Sequence, residues 1–333
     1  MASTRKTKRR LRTARRAFIC LAVLALAVSA YVVAFRGGQG GVPTWTQLYA
    51  TFGVPLDAPD AELLAASPTT VTVLDVGQGD AVLIGQDGEY CLIDTGTADT
   101  ADALARSLQL AGVERLRYLV LTHPHADHTG GAAAVLEALP VETLLVPVWD
   151  PPAGESSAWP RAVLEQAAAA GVPLAETSPG DCFALGSGTL QVLQGGSALT
   201  VDEDDANNGS LCLLFTAGGF RYLATGDAEE EAEQALVDAY GRGLHAVLYK
   251  AGHHGSSTSS SEALLSVVQP QAAVISCGRD NDYGHPHAEV LRRLAACGVD
   301  VYRTDEQGTL TFTYQNGTLQ ATLPDEEAQD AAA

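Results

Sequence analysis

Short apolar runs separated by polar turns dominate the chain from residue 70 onward. The runs at 71–75, 81–85 and 90–94 are too short for helices, and Gly- and Asp-containing turns bound them. This pattern predicts three strands followed by a helix at 100–111. Further strands are predicted at 118–121, 141–148, 189–193, 211–216, 220–224, 247–250, 271–276, 301–303 and 309–314. Helices are predicted between them at 132–139, 158–170, 228–239, 262–268 and 288–296, so the chain reads as an α/β (α+β) protein.

A different pattern precedes this region. Residues 17–35 are 19 positions without a charge, and residues 1–16 contain eight Lys and Arg and no acid. At 1.5 Å per residue, a helix of this length nearly spans a hydrocarbon core of about 30 Å. The basic block predicts that residues 1–16 form a cytoplasmic tail and that 17–35 form a transmembrane anchor.

A cleavable signal peptide is the alternative, because Val28-Ser29-Ala30 resembles a small-residue cleavage site. Apolar residues continue past Ala30, which favours an uncleaved single-pass anchor in the cell membrane. Under either interpretation the rest of the chain is extracytoplasmic, or secreted if the signal is cleaved. We expect a linker or stalk at 36–69, a globular domain at 70–315 and an acidic tail at 316–333.

The charge balance constrains the class of ligand. The chain has 20 basic and 40 acidic residues, for a net charge of −20. Outside residues 1–16, the remaining 12 basic and 40 acidic residues give −28. Nucleic-acid affinity depends on Lys and Arg that neutralise phosphates. We therefore expect weak, salt-sensitive DNA binding unless basic residues cluster or a partner presents the strand.

Candidate chemistry concentrates at residues 122–131, which read THPHADHTGG. His123, His125, Asp127 and His128 lie within six positions on a loop that leaves the predicted strand 118–121. Imidazole and carboxylate are the side chains that bind Zn²⁺ and related ions. The chain has only eight histidines, so three in one loop argue against a merely polar surface loop.

The spacing indicates two metal ions. His123 and His125 are two residues apart, so in extended backbone they point the same way and can hold one ion. Asp127 and His128 follow a turn of the chain and can face a second ion. Two ions about 3.5–4 Å apart suit hydrolysis, because together they stabilise the attacking and leaving oxygens.

The HxHxDH pattern followed by Gly130-Gly131 resembles the metallo-β-lactamase superfamily. The resemblance implies an αββα sandwich with a metal centre at one edge that holds two divalent ions, Zn²⁺ or Mn²⁺. Residues 75–80 (DVGQGD) and 93–96 (IDTG) are similar to the ComEC-like subgroup, the hydrolase domains of bacterial competence proteins. That subgroup implies degradation of the DNA strand that is not imported.

The resemblance also implies roles for residues outside the loop. Asp94 lies beneath the metal loop and orients it, and Asp227 bridges both ions. A helix N-cap is the competing role for Asp227. In the pair His253-His254, His254 is the expected metal ligand and His253 faces substrate phosphate or transfers protons, although this assignment could be reversed.

One expected ligand is missing. Most members of the superfamily have a histidine near residue 208, whereas this chain has none between His128 and His245. Either Asn208 substitutes weakly through its carbonyl, or the second ion is loosely held. Asn208 is also assigned a supporting role beside the ligands, and substrate binding is assigned to Asn208, Ser256 and His285.

These assignments predict an extracytoplasmic metal-dependent hydrolase, most simply a phosphodiesterase or nuclease acting on DNA. Asp127 would hold and orient the attacking hydroxide, and the ions with His253 or His285 would neutralise charge on the phosphate oxygens. His285 could also stabilise or protonate the leaving oxygen. The expected partners are the membrane, DNA and a DNA-uptake channel.

Three alternatives remain open at this point. The enzyme could hydrolyse another envelope phosphodiester, such as a cell-wall or lipid headgroup. It could hydrolyse a lactam or thioester, although the absence of a histidine near residue 208 disfavours this. The chain could instead be a non-catalytic binding module of an uptake complex.

Overall fold

The computed structural model describes residues 58–148, 159, 161–196 and 206–323. The expected cytoplasmic tail at 1–16, the anchor at 17–35, and most of the linker lie outside the described residues. Within the described ranges, no helix combines the length and apolar character needed to cross a membrane.

Two sheets form the centre of the fold. Strands are numbered in chain order. The first sheet contains β1 (Thr69–Val73), β2 (Val82–Gln86), β3 (Glu89–Ile93), β4 (Leu116–Val120), β5 (Val141–Pro147), β6 (Leu174–Thr177), β14 (Leu310–Gln315) and β15 (Thr318–Thr322). Their spatial order is β15-β14-β1-β2-β3-β4-β5-β6.

The second sheet has seven strands. They are β7 (Cys182–Leu185), β8 (Gly188–Gln194), β9 (Cys212–Ala217), β10 (Phe220–Ala224), β11 (Leu248–Lys250), β12 (Ala272–Ile275) and β13 (Asp300–Arg303). Their spatial order is β13-β12-β11-β10-β9-β8-β7.

Helices cover the outer face of each sheet. The described α-helices are α1 (Ala61–Ala66), α2 (Ala101–Leu110), α3 (Ala126–Thr129), α4 (Ala132–Ala138), α5 (Arg161–Ala170), α6 (Glu230–Tyr240), α7 (Glu262–Val268), α8 (Ala288–Ala296) and α9 (Thr304–Gln307). Apolar residues of α1, α2, α4 and α5 pack on the first sheet, and those of α6, α7 and α8 pack on the second.

A third apolar cluster joins the two sheets. Val71 and Phe312 of the first sheet are buried with Phe215 and Tyr222 of the second. Because each sheet buries one face on its partner and the other on helices, the layers are helix, sheet, sheet, helix. The predicted αββα arrangement is confirmed, and the expected N-terminal membrane helix lies outside the described residues.

Strand direction places the chemistry at one edge. β3 to β6 run parallel to one another in the first sheet, and β10 to β13 run parallel in the second. Parallel neighbours end at the same side of a sheet, where loops leave the strands and ligands commonly bind. The loops that follow β3, β4, β10, β11 and β12 therefore carry the candidate residues.

The structure corrects the expected limits of the globular domain. Residues Thr318–Thr322 pair with β14 as strand β15, so the chain at 318–322 belongs to the sheet and not to an acidic tail. Upstream, α1 lies inside the expected linker and packs Leu64 against the first sheet. Strand β15 was not predicted from the sequence because its residues TLQAT include only two aliphatic side chains, and none of its positions is buried.

Candidate metal centre

Asp94 lies directly beneath the histidine loop. It follows β3 with a left-handed backbone (φ 58°), and its carboxylate accepts hydrogen bonds from the backbone N–H and the hydroxyl of Thr122, at 2.8 and 2.7 Å. The same carboxylate lies 2.8 Å from Nδ1 of His128. One buried carboxylate therefore fixes the start of the loop and the ring orientation of a candidate ligand.

His123 and His125 form a close pair. Nε2 of His123 is 3.0 Å from Nδ1 of His125, and Nδ1 of His123 contacts the hydroxyls of Thr122 and Ser210 at 3.1 and 3.2 Å. In a tetrahedral zinc site, two ligand nitrogens lie roughly 3.3 Å apart. The two facing nitrogens are therefore spaced to share one ion.

A tighter group lies beside this pair. The ligand atoms of Asp127, His128, Asp227 and His254 all lie within 4.8 Å of one another. Asp127 and His128 belong to α3, whose single turn brings their ligand atoms together after the bend at His123 and Pro124. Three of the four residues are buried. Asp127 is partly exposed and marks the side on which the cluster opens to solvent.

Asp227 is at the centre of both groups. Its Oδ1 is 3.2 Å from Nε2 of His128, and its Oδ2 is 3.6 Å from Nε2 of His254 and 4.0 Å from Nε2 of His123. Helix α6 begins at Glu230 with Glu229 at its N-cap. The alternative role of Asp227 as a helix N-cap is therefore wrong, and its position between the groups suits a bridging carboxylate.

Burial and charge set the protonation of these groups. Burial raises the pKa of Asp227, but the charges of His128 and His254 outweigh it and hold that pKa well below its usual value. Conversely, burial lowers the pKa of His254, but Asp227 and Asp80 outweigh it and raise the pKa to about 9.

The fit of metal ions can be tested on the buried atoms. Nε2 of His128 and Oδ1 of Asp227 are both buried and lie 3.2 Å apart, and neither makes a hydrogen bond of acceptable geometry within the described parts of the chain. Buried polar atoms are normally paired, because an unpaired one keeps its full desolvation cost. A nitrogen lone pair and a carboxylate oxygen that face each other suit a shared cation, so the donor set fits divalent ions.

Three supporting residues escaped the sequence analysis. Asp80 forms a buried ion pair with Lys250 and lies 3.2 Å from Nδ1 of His254, and the Ser210 hydroxyl accepts the backbone N–H of Asp227 at 3.0 Å. The available signal was Lys250 itself, since a lysine that ends an apolar strand is rarely buried without a partner.

The structure corrects two assigned roles. The carbonyl of Asn208, expected to face a metal, instead accepts the backbone N–H of Glu229 at 3.0 Å. Ser256, expected to bind substrate, is buried, and its hydroxyl lies 3.1 Å from that of Thr258. Both residues shape loops, because their polar atoms are already engaged within the protein.

His253 and His285 lie at the opening of the cluster. Nε2 of His253 is 3.7 Å from Oδ2 of Asp227. The ring of His285 is 5.7 Å from that of His253 and 6.2 Å from that of His254, measured between centroids. Asn281 holds the backbone of His285 through its N–H and its carbonyl, at 3.0 and 2.6 Å.

Comparison with known proteins agrees with this geometry. The sequence profile of the metallo-β-lactamase superfamily matches residues 74–279. The crystal structure of CmlA, a diiron β-hydroxylase from Streptomyces venezuelae, superposes with a TM-score of 0.50 at 14% identity, covering 82% of this chain and 60% of that one. The chain therefore belongs to the metallo-β-lactamase superfamily.

Two curated relatives bear on the subgroup resemblance. ComE operon protein 3 of Bacillus subtilis is 33% identical over 75% of this chain and 34% of its own length. Competence protein ComA of Neisseria gonorrhoeae is 33% identical over 90% of this chain and 40% of its own length. The ComEC-like resemblance is confirmed, and the chain spans less than half of the length of these relatives.

We predict that Asp94→Asn weakens metal binding. The substituted amide would turn an N–H₂ group toward Nδ1 of His128 or lose a bond to Thr122, so the ligand loop loses part of its support. Loss of such a contact typically lowers metal affinity about 10- to 100-fold. Chelator competition with Zn²⁺ measures the affinity, with Asp99→Asn on the exposed surface as the matched control. An Asp94→Asn affinity equal to that of the control would contradict the supporting role.

Proposed function

We propose that this member of the metallo-β-lactamase superfamily is a phosphodiesterase that acts on DNA with two divalent ions, Zn²⁺ or Mn²⁺. The observation that carries the proposal is the arrangement of His123, His125, Asp127, His128 and His254 around the single carboxylate of Asp227. The ligand set supports two adjacent cation sites, and two adjacent ions suit in-line displacement at phosphorus.

The side chains divide the work of such a reaction. Bound divalent ions supply Lewis acidity and lower the pKa of a water towards about 7. Asp127 is the ligand-group carboxylate that faces the opening, so it is placed to accept a proton from an attacking water and to orient it. Asp227 and the buried histidines would hold these ions and exclude bulk water from their inner side.

His285 contributes a hydrogen bond rather than a charge. Burial and, to a smaller extent, the charges of the neighbouring His254 and His253 together lower its pKa to about 4. The ring is therefore neutral near pH 7. Its one N–H can donate a hydrogen bond to a phosphate or leaving oxygen, but a neutral imidazole is too weak an acid to protonate that oxygen. This favours stabilisation of the leaving oxygen over its protonation.

A tyrosine beside the opening supports a nucleic-acid substrate. Tyr283 is 68% exposed, and its ring stacks on that of His285 with centroids 5.7 Å apart and an interplanar angle of 20°. Exposed aromatic rings are the surfaces on which single-stranded bases stack, in a sequence-tolerant way.

The acidic surface sets the conditions for this activity. The net charge of −20 provides little electrostatic attraction for DNA. We propose that a membrane DNA-uptake channel presents the strand, as the competence-protein relatives suggest, and that isolated protein binds DNA weakly.

The direct test is a nuclease assay on the full-length chain. Single- and double-stranded DNA and bis-p-nitrophenyl phosphate would be incubated with Mn²⁺ or Zn²⁺, beside His123→Ala and the exposed-histidine control His245→Ala. We expect cleavage of DNA and of the small diester, lost in His123→Ala and kept in His245→Ala, and strongest at low salt. Absence of phosphodiester cleavage from protein that carries metal would contradict the proposal.

We predict that Tyr283→Ala weakens binding of single-stranded DNA. Base–aromatic stacking of about 1–3 kcal/mol corresponds to a roughly 5- to 150-fold rise in KM. Tyr283→Phe keeps the ring and should behave as the parent protein. An oligonucleotide without bases separates stacking from other effects, since its cleavage should not respond to Tyr283→Ala. An equal loss on both substrates would show that Tyr283 does not bind bases.

We further propose that residues 17–35 anchor the chain in the cell membrane with the catalytic domain extracytoplasmic. The uncharged segment and the basic block before it support this orientation. Protease added to intact spheroplasts should digest the domain, and the full chain should fractionate with membranes, whereas a chain that starts at residue 37 should not. Full-length protein found in the soluble cytoplasmic fraction and protected from protease would contradict the proposal.

A further inference from the structure

The metal centre lacks one histidine ligand that most members of the superfamily have. His123 faces both His125 and Asp227, and no histidine occurs between His128 and His245, where most members of the superfamily supply a further ligand. The residue expected to substitute, Asn208, has its carbonyl bonded to the backbone of Glu229. A histidine that takes this role must therefore come from another loop.

The loop after β11 presents two neighbouring histidines to the same carboxylate. His253 and His254 both have left-handed backbones, with φ of 47° and 54°, a conformation that non-glycine residues seldom adopt. Two successive residues in this conformation turn both rings toward Asp227. Their Nε2 atoms lie 3.7 and 3.6 Å from its Oδ2, slightly closer than the 4.0 Å of His123.

The loop is also tied to the Asp227 loop through its backbone. The N–H of His253 donates to the carbonyl of Gly226 at 3.1 Å, and Gly226 immediately precedes Asp227. The position of the His253 ring relative to the carboxylate is thus fixed from both sides. Unusual backbone geometry held by surrounding contacts is a feature of functional sites.

Nδ1 of His253, the ring nitrogen that faces away from Asp227, is held by the protein as in the buried histidines. Its Nδ1 lies 3.2 Å from the hydroxyl of Thr258 and 3.4 Å from a carboxylate oxygen of Glu229. These partners favour a proton on Nδ1 and leave the Nε2 lone pair directed at Asp227. His123, His128 and His254 have the same arrangement, with Nδ1 held by the protein and Nε2 turned inward.

The Asn-Asn segment acquires a role in this arrangement. The carbonyl of Asn208 accepts the N–H of Glu229, and the Asn207 amide lies 3.5 Å from the Glu229 carboxylate. Glu229 in turn contacts Nδ1 of His253. The segment that holds a ligand histidine in most members of the superfamily would here position a carboxylate, and the carboxylate would position the histidine.

We propose that His253 is a metal ligand, through Nε2, of an ion held beside Oδ2 of Asp227, in place of the missing histidine. The side chain of His253 is 22% exposed, whereas those of His123 and His254 are buried. This ion would therefore be reached by solvent and substrate from the side of His253. The inference rests on the proposed metal centre and not on the identity of the substrate.

The proposal can be tested by counting ligand imidazoles in the full-length protein loaded with Co²⁺. Each coordinated histidine keeps one exchangeable ring N–H, which gives a hyperfine-shifted proton NMR signal. Coordination by His123, His125, His128, His253 and His254 predicts five such signals. Four signals in the parent protein, with two Co²⁺ bound, would overturn the assignment of His253 while leaving the metal centre intact.

Variants assign the fifth signal. His253→Ala should retain four signals and bind one of its two ions at least tenfold more weakly in chelator competition, whereas His245→Ala should match the parent protein. If His253→Ala does not fold, Glu229→Gln and Thr258→Val keep the ring and should shift one signal only. Five signals that survive His253→Ala, or that ignore both supporting variants, would overturn the proposal. A protein that binds no Co²⁺ would refute the metal centre itself.

Discussion

The buried carboxylate of Asp227 is the group on which the rest of the site depends. Its side chain is 2% exposed, and burial of an unpaired charge is far more costly than burial of an apolar group. Nε2 atoms of four histidines, from the loops after β4 and β11, lie within 4.0 Å of its oxygens. Cations, whether protons on these rings or metal ions between them, are what make this placement stable.

The fold supplies that arrangement through two layers of contacts. The inner layer is the set of ring nitrogens that face Asp227, and the outer layer holds the opposite nitrogen of each ring. Asp94 holds His128, Asp80 with Lys250 holds His254, and Ser210 holds His123. Because these supports come from both sheets, the metal centre depends on the sheet-to-sheet packing that joins them.

Part of this site could be predicted from the sequence. The positions of His123, His125, Asp127 and His128 follow from a motif on one loop, and parallel strand ends bring the loops of Asp94, Asp227 and His254 to the same edge. Apart from Asp94, the outer layer could not be predicted, because it joins residues far apart in the chain. Asp80 and Lys250 are 170 positions apart, and no local pattern pairs them.

The errors have physical causes of the same kind. Ser256 lies next to the histidine pair, but its hydroxyl is buried against Thr258, and burial is not visible in a local sequence. The strands β6, β7 and β15 were not predicted; all three lie at sheet ends, where one neighbour is absent and most positions are partly or fully exposed. The backbone conformation that turns both His253 and His254 toward Asp227 also depends on contacts with a distant loop.

The measurement that tests the dinuclear centre most directly is X-ray absorption spectroscopy of the full-length protein reconstituted with Zn²⁺, combined with its metal content. Two ions per chain with a metal–metal distance of about 3.5–4 Å are expected from ligands grouped around one bridging carboxylate. A single ion without metal–metal scattering, or protein that retains no metal, would contradict the central role assigned to Asp227.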